Sequence, residues 1–201
     1  MSRKLMMSFV ARLGVMLPML VGCGDGGESP LVDAGPPPDA PNCTAEPSYE
    51  SGVVDFASDS PTGGPAGMRR ILVMLDVPSP GLQDRVILEL HAGRGVFAGG
   101  DIVPGTYALG GAEGTYSTCG TCVVVGTNYH PVGTNGLDYE EYYLAQSGTI
   151  TLTQTSGRLT GSLSDVTLEH VLHEPGMLPS DVPANDGCTT TIPSFSFDAA
   201  L

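Results

Sequence analysis

The run Thr149-Ile150-Thr151-Leu152-Thr153-Gln154-Thr155-Ser156-Gly157-Arg158-Leu159-Thr160-Gly161-Ser162-Leu163 reads as a β-hairpin. Ile150 and Leu152 alternate with threonines on the way out. Leu159, Gly161 and Leu163 share one parity on the way back, and the turn falls around Ser156-Gly157. A period of two with β-branched residues between the apolar ones fits a strand with one buried face, and it does not fit a helix. The return strand runs on into Val166 and Leu168, whose parity is opposite to that of Leu163. A strand changes face only by taking in an extra residue, so a bulge or bend is expected near Ser164-Asp165.

The same pattern recurs on both sides of this hairpin. Residues 70–77, RILVMLDV, form an apolar run ended by the turn Pro78-Ser79-Pro80-Gly81. Residues 85–91 place Val86, Leu88 and Leu90 on one face against Arg85, Glu89 and His91, with Ile87 on that second face, which predicts a half-buried strand. Further strands are expected over 106–109 (after Pro104-Gly105), 122–125 and 142–144. A last one is expected over 189–197, where Pro193 requires an edge or an irregularity. Residues 139–146 come nearest to a helical period, and strand is still the better reading there. About eight short strands at this spacing predict an all-β, antiparallel β-sandwich or jelly-roll-like domain.

The chain ahead of this domain reads differently. Residues 1–12 carry Arg3, Lys4 and Arg12 and no acid, residues 13–21 are nearly all apolar, and Leu20-Val21-Gly22-Cys23 follows. A basic start and a short apolar segment make a signal peptide, too short to span a bilayer as a mature helix. Leu20-Val21-Gly22-Cys23 resembles the lipobox of bacterial lipoproteins. The resemblance implies cleavage between Gly22 and Cys23, diacylglycerylation of the Cys23 thiol and acylation (palmitate) of the new N-terminus. Several acyl chains make a stable anchor where one is marginal. The position after Cys23 is Gly24, not aspartate, which by analogy with enteric bacteria points to the outer membrane. Residues 24–42, GDGGESPLVDAGPPPDAPN, hold too little apolar surface to order themselves and read as a tether, stiffened where Pro36-Pro37-Pro38 and Pro41 extend it. The expected organisation is therefore a signal peptide at 1–22, a lipid-anchored tether at 23–42 and a β-domain at 43–201.

The whole chain has a formal net charge of −14. Removing residues 1–22 takes three cations and no acid, leaving five arginines (Arg69, Arg70, Arg85, Arg94, Arg158) and no lysine against 22 acids. Such a surface repels nucleic acid and anionic headgroups, so no nucleic-acid partner is expected and membrane contact should run through the lipid alone. The absence of tryptophan weakens any case for an aromatic ligand platform.

The domain carries Cys43, Cys119, Cys122 and Cys188, an even number in an exported chain, so disulfides are expected. Three pairings are open. Cys119-Gly120-Thr121-Cys122 closes on itself only in a turn, because in a regular strand its ends would lie about 10 Å apart. Cys122 leads straight into Val123-Val124-Val125, so the reading favours bridges from Cys119 and Cys122 to the terminal pair Cys43 and Cys188. Each would contribute roughly 3–5 kcal/mol. A thioredoxin-type motif would need a helix after the cysteines, and a four-cysteine zinc site would need a second close pair.

Other candidate chemistry is sparse. His170-Val171-Leu172-His173-Glu174 lacks the order of a zinc protease motif, and on a strand its histidines face opposite ways, so exposed histidines at a strand end are expected. Asp138-Tyr139-Glu140-Glu141 reads as a solvated acidic loop, short of the oxygen count that calcium requires. There is no GxSxG elbow, phosphate-binding glycine loop or nucleophile–base signature, and neither metal nor cofactor is expected.

The overall plan resembles predicted lipoproteins of myxobacterial type. The matching features are Cys23 in its lipobox, the DAGPPPDAP phrase, Cys43 after the tether, Cys119-Gly120-Thr121-Cys122, the 147–152 hairpin strand and Gly187-Cys188 with its Thr/Ser/Phe-rich continuation. The resemblance implies a bacterial envelope location and a cysteine-bearing β-domain, and it implies no catalytic residue. The favoured expectation is a non-enzymatic lipid-anchored surface lipoprotein that binds or scaffolds an envelope protein or glycan. The alternatives are a carbohydrate-active or other hydrolytic β-sandwich enzyme, and a calcium-dependent adhesion module.

Overall fold

A computed structural model describes residues 42–61, 68–132, 136–174 and 176–201. The signal segment 1–22, the Gly22-Cys23 cleavage point and all of the tether except Asn42 lie outside the described residues. No helix among the described residues is long and apolar enough to cross a membrane.

The domain is all-β and antiparallel. Its strands are β1 (Val53–Pro61), β2 (Arg69–Val77), β3 (Asp84–His91), β4 (Gly105–Ala108), β5 (Thr121–Thr127), β6 (His130–Val132), β7 (Gly136–Asp138), β8 (Glu141–Gln154), β9 (Arg158–Val171) and β10 (Thr189–Ala200). Eight of them make one curled sheet in the order β1-β2-β3-β5-β8-β9-β10. β4 lies beside the far end of β8, and β6 and β7 form a small separate ribbon. The expected segments 142–144 and 149–153 are one strand, because β8 is long enough to pair β5 near its start and β4 near its end. β1 was not legible as a strand: its acids break the alternation of apolar residues.

The inner face of the curl holds a single core. Ile71, Val73 and Leu75 of β2, Val86, Leu88 and Leu90 of β3 and Val123 and Val125 of β5 meet Ile150, Leu163, Phe195 and Phe197 from the long strands. The chain ahead of β1 runs along β10, where the Tyr49 amide donates to the Thr191 carbonyl at 2.9 Å. Tyr49 is itself buried, and its hydroxyl donates to Asp84 at 2.6 Å.

The expected change of face in the hairpin is present, and it spans three strands. In β9 Leu163 and then Val166 are buried, with Asp165 between them at φ +52°. In β8 the buried set passes from Tyr143 and Ala145 to Ile150 and Leu152 across Gly148 at φ +113°. In β10 it passes from Ile192 to Phe195 across Pro193, which sits opposite Asp165. The register of β8 on β9 shifts at the same level. Three adjacent strands thus turn over together and make a corner in the sheet. Pro193 is tolerated because β10 is the last strand of the sheet path.

Two expectations are corrected. β3 is buried on both faces along its whole length, because loops cover the face that carries Arg85, Ile87, Glu89 and His91. The disulfides are Cys43–Cys188 and Cys119–Cys122, with Cα atoms 5.5 and 5.4 Å apart. The turn over 115–118, in which the Cys119 amide reaches the Thr115 carbonyl, precedes the strand and folds Cys119 back towards Cys122. Regular strand begins only at Thr121, so the separation of an extended CxxC never arises.

Candidate functional site

The outward-facing residues of β2, β3, β5 and β8 form a second, smaller apolar cluster. Met74, Ile87, Val124, Tyr142 and Leu144 are buried there, with Leu72 and Tyr116 packed against them. These positions alternate with the core residues on the same strands, so the pleat itself sends them to the other side. A sheet face that lay open to water would not carry this set.

Three pieces of chain cover the face. The first is the 110–120 loop, which carries Tyr116. Its shape is held by Glu113, a buried carboxylate that accepts from the amides of Val96 (2.8 Å), Gly120 (2.9 Å) and Thr121 (2.6 Å) and from the Thr121 hydroxyl (2.7 Å). The Cys119–Cys122 bridge closes the same loop. The second piece is the connection into β8, which brings Tyr139. The third is the chain after β9, which contributes Gly176, Met177, Leu178 and Pro179.

Between face and cover lies a pocket of about 280 Å³. Leu72, Met74, Ile87 and Val124 form its floor, and Tyr116, Tyr139 and Tyr142 line it as well. At the polar end Glu89 accepts from Arg70 Nη2 at 2.9 Å and from the Tyr116 hydroxyl at 3.0 Å, and its Oε2 lies 3.2 Å from His91 Nε2. Burial alone would raise the Glu89 pKa. The hydrogen bond from His91, the Arg70 charge and the Tyr116 hydroxyl outweigh it and hold the carboxyl below its ordinary range. Tyr116 and Tyr142 are pushed well above theirs, chiefly by burial and, for Tyr116, also by the Glu89 charge, so both phenols remain donors. Three buried polar atoms have no hydrogen-bond partner among the described residues: Arg70 Nε, His91 Nδ1 and the Tyr139 hydroxyl, the last lying beside the Arg85 guanidinium. The pocket therefore joins an apolar floor to a charged pair with one unpartnered donor, Arg70 Nε, the combination that fixes a small amphiphilic group.

The residues singled out in the sequence are scattered. His170 stacks on Tyr143 with ring centroids 5.3 Å apart and meets Asp186 at 2.5 Å, whereas His173 packs edge-on against Tyr142. The two point to opposite faces, as expected, but each is partly covered and not fully exposed. The acidic run splits as well: Tyr139 is buried, Glu140 accepts from Asn128, and Glu141 accepts from the Thr44 amide and hydroxyl at 3.2 and 2.7 Å. Among the described residues no three His, Cys, Asp or Glu side chains come together as a metal site. Among the described residues, Glu89 is the one carboxylate that lines the pocket.

Sequence reasoning missed the pocket because its members come from six separate segments. The one usable signal was Met177-Leu178 inside an acidic, proline-bracketed loop; Arg70 and Glu89 sit in strands that carry other charges and do not stand out. Compared with known proteins, the chain matches no family model, no curated protein and no solved structure.

Proposed function

We propose that the chain is a non-enzymatic, lipid-anchored envelope lipoprotein whose β-domain binds a ligand in the outer-face pocket between β2 and β8. The observation that carries the binding role is the Arg70–Glu89 pair at the end of an apolar floor, with the Glu89 carboxylate buried, the Arg70 guanidinium half-buried and its Nε without a partner among the described residues. An ion pair placed there costs desolvation, and it gains a use when a bound group takes up the spare donor. The anchor rests on Leu20-Val21-Gly22-Cys23 and the tether after it.

Two measurements test the reading. Intact mass of the membrane-extracted protein should show Cys23 as an acylated first residue, and Cys23→Ala should move the protein to the soluble fraction. A screen of small amphiphiles by thermal unfolding should find ligands that raise Tm by about 5–10 °C at a hundredfold excess over Kd. Leu72→Trp, which fills the pocket from its half-buried floor, should abolish that rise. A rise that survives Leu72→Trp would place the ligand elsewhere.

A further inference from the structure

The chain that roofs the pocket exposes large apolar side chains. Leu172, Met177, Leu178 and Val182 are 50%, 60%, 63% and 53% exposed. Met177 and Leu178 line both the pocket and an adjoining hollow of about 590 Å³ bounded by Leu172, His173 and Val182, so apolar surface runs unbroken from roof to floor. A contiguous patch of this kind on an exported domain marks a surface that is covered in use.

The rim of the patch is acidic. Glu174 and Asp181 are exposed within the same loop, Asp138 accepts the Gly176 amide from beneath it, and Asp186 follows. No lysine or arginine occurs after Arg158. Arg69, Arg70, Arg85 and Arg158 are each bound to an acid, so they do not offset this charge. A second copy of the domain would set acid against acid across the patch, and an anionic bilayer would be repelled in the same way. The complement is a surface that is apolar at its centre and cationic at its edges.

We propose that residues 172–174 and 176–183 and the pocket beneath them dock a basic, amphipathic segment of another protein. One apolar side chain of that segment enters the pocket, and its lysines or arginines meet Glu174 and Asp181. The inference rests on the reading of the pocket as a binding site and adds the chemistry of the partner. Apolar anchoring supplies most of the affinity, and the acidic rim supplies orientation and salt dependence.

The test uses the chain from Gly24 onward, which keeps every strand and disulfide described. The probes are Nile red for the pocket, a short helical leucine–lysine peptide, a lysine–serine peptide of equal charge, and vesicles with and without anionic lipid. The leucine–lysine peptide should bind, displace Nile red, and weaken about tenfold in Leu172→Ser/Leu178→Ser and again in Glu174→Gln/Asp181→Asn. Both double variants change exposed residues, and Asp181→Asn keeps an Oδ1 to accept the Ser117 amide, so both should keep the parent Tm. Equal binding of the lysine–serine peptide would reduce the effect to bulk charge and overturn the proposal. Vesicle binding, or self-association lost in Leu172→Ser/Leu178→Ser, would also overturn it. Nile red bound with no peptide binding refutes the docking inference and leaves the pocket standing, whereas failure of both removes the pocket reading too.

Discussion

Replacing Gly148 by alanine tests the corner at which β8, β9 and β10 turn over together. Gly148 has φ +113°, a value that L side chains rarely adopt. A Cβ there would lie 2.6 Å from Val166 Cα, 2.8 Å from the Asp165 carbonyl oxygen and 2.9 Å from Val166 Cγ2. Two of those three atoms are backbone, so no side-chain rotation relieves the clash. The conformational strain costs about 1–3 kcal/mol and the forced displacement of β9 a similar amount. Gly157→Ala in the hairpin turn is the matched control. Its φ is +68°, and nothing lies within 4 Å of the new Cβ, so only the left-handed backbone cost of about 1–2 kcal/mol applies. At roughly 2–4 °C per kcal/mol for a domain of this size, the combined cost of about 2–6 kcal/mol means that Gly148→Ala should lower Tm by about 4–24 °C, centred near 12 °C, and Gly157→Ala by about 2–8 °C, centred near 5 °C. Paired thermal and urea unfolding of the two variants decides the matter. Equal losses would mean that the corner relaxes freely and that the coincidence of Gly148, Asp165 and Pro193 carries no special energy.

The two disulfides should differ in weight. Removing Cys43–Cys188, which spans 145 residues, should cost about 5 kcal/mol, whereas removing Cys119–Cys122, which spans three, should cost about 2 kcal/mol, as read from urea midpoints of the double alanine variants. Glu89 adds stability that is full above the ordinary glutamate range and is lost as the pH falls through its lowered value, so Glu89→Gln should narrow the gap in Tm between neutral pH and about pH 3. Asp84, raised mainly by burial against the hydrogen bonds from Tyr49 and Asn128, acts in the opposite sense: its contribution is greatest in acid and wanes as the pH climbs. Asp84→Asn should therefore make a plot of Tm against pH fall less steeply above about pH 4. At the β9 bulge, where φ is +52°, Asp165→Gly should be tolerated, while Asp165→Val should cost about 2 kcal/mol by thermal unfolding.

Strands with a regular period were readable, and so was the break of period within β9. Leu163 and Val166 have opposite parity, and both are buried, so the bulge at Asp165 follows from counting residues. What lay beyond reading was set by contacts distant in the chain. Glu89 and Arg85 look like solvent-facing residues of a half-covered strand until Tyr116 and Tyr129 are laid over them, Tyr129 with its ring centroid 4.2 Å from the Arg85 guanidinium. Gly148 reads as a strand end, yet it lets a single strand bend and continue. The CxxC was misjudged because Val123 to Val125 signalled strand, while the turn that frees Cys119 depends on Glu113 gathering three amides. Of the candidate site, Arg70 and Glu89 lay in expected strands, but neither stood out as a site residue without the pocket that joins them.

Cys43 stands where the chain enters the domain, and its sulfur is tied to Cys188, one residue ahead of β10. Any tension along the chain before Cys43 therefore passes across the bridge into the root of β10. It bypasses residues 44–52, which would otherwise peel away one hydrogen bond at a time. β10 is paired to β9 from Thr189 to Ala200, so the load meets a long backbone ladder in place of the few bonds that hold residues 44–52. Pulled from ahead of Cys43, the domain would keep its N-terminal seam closed under loads that would fray the same fold held only by its first strand.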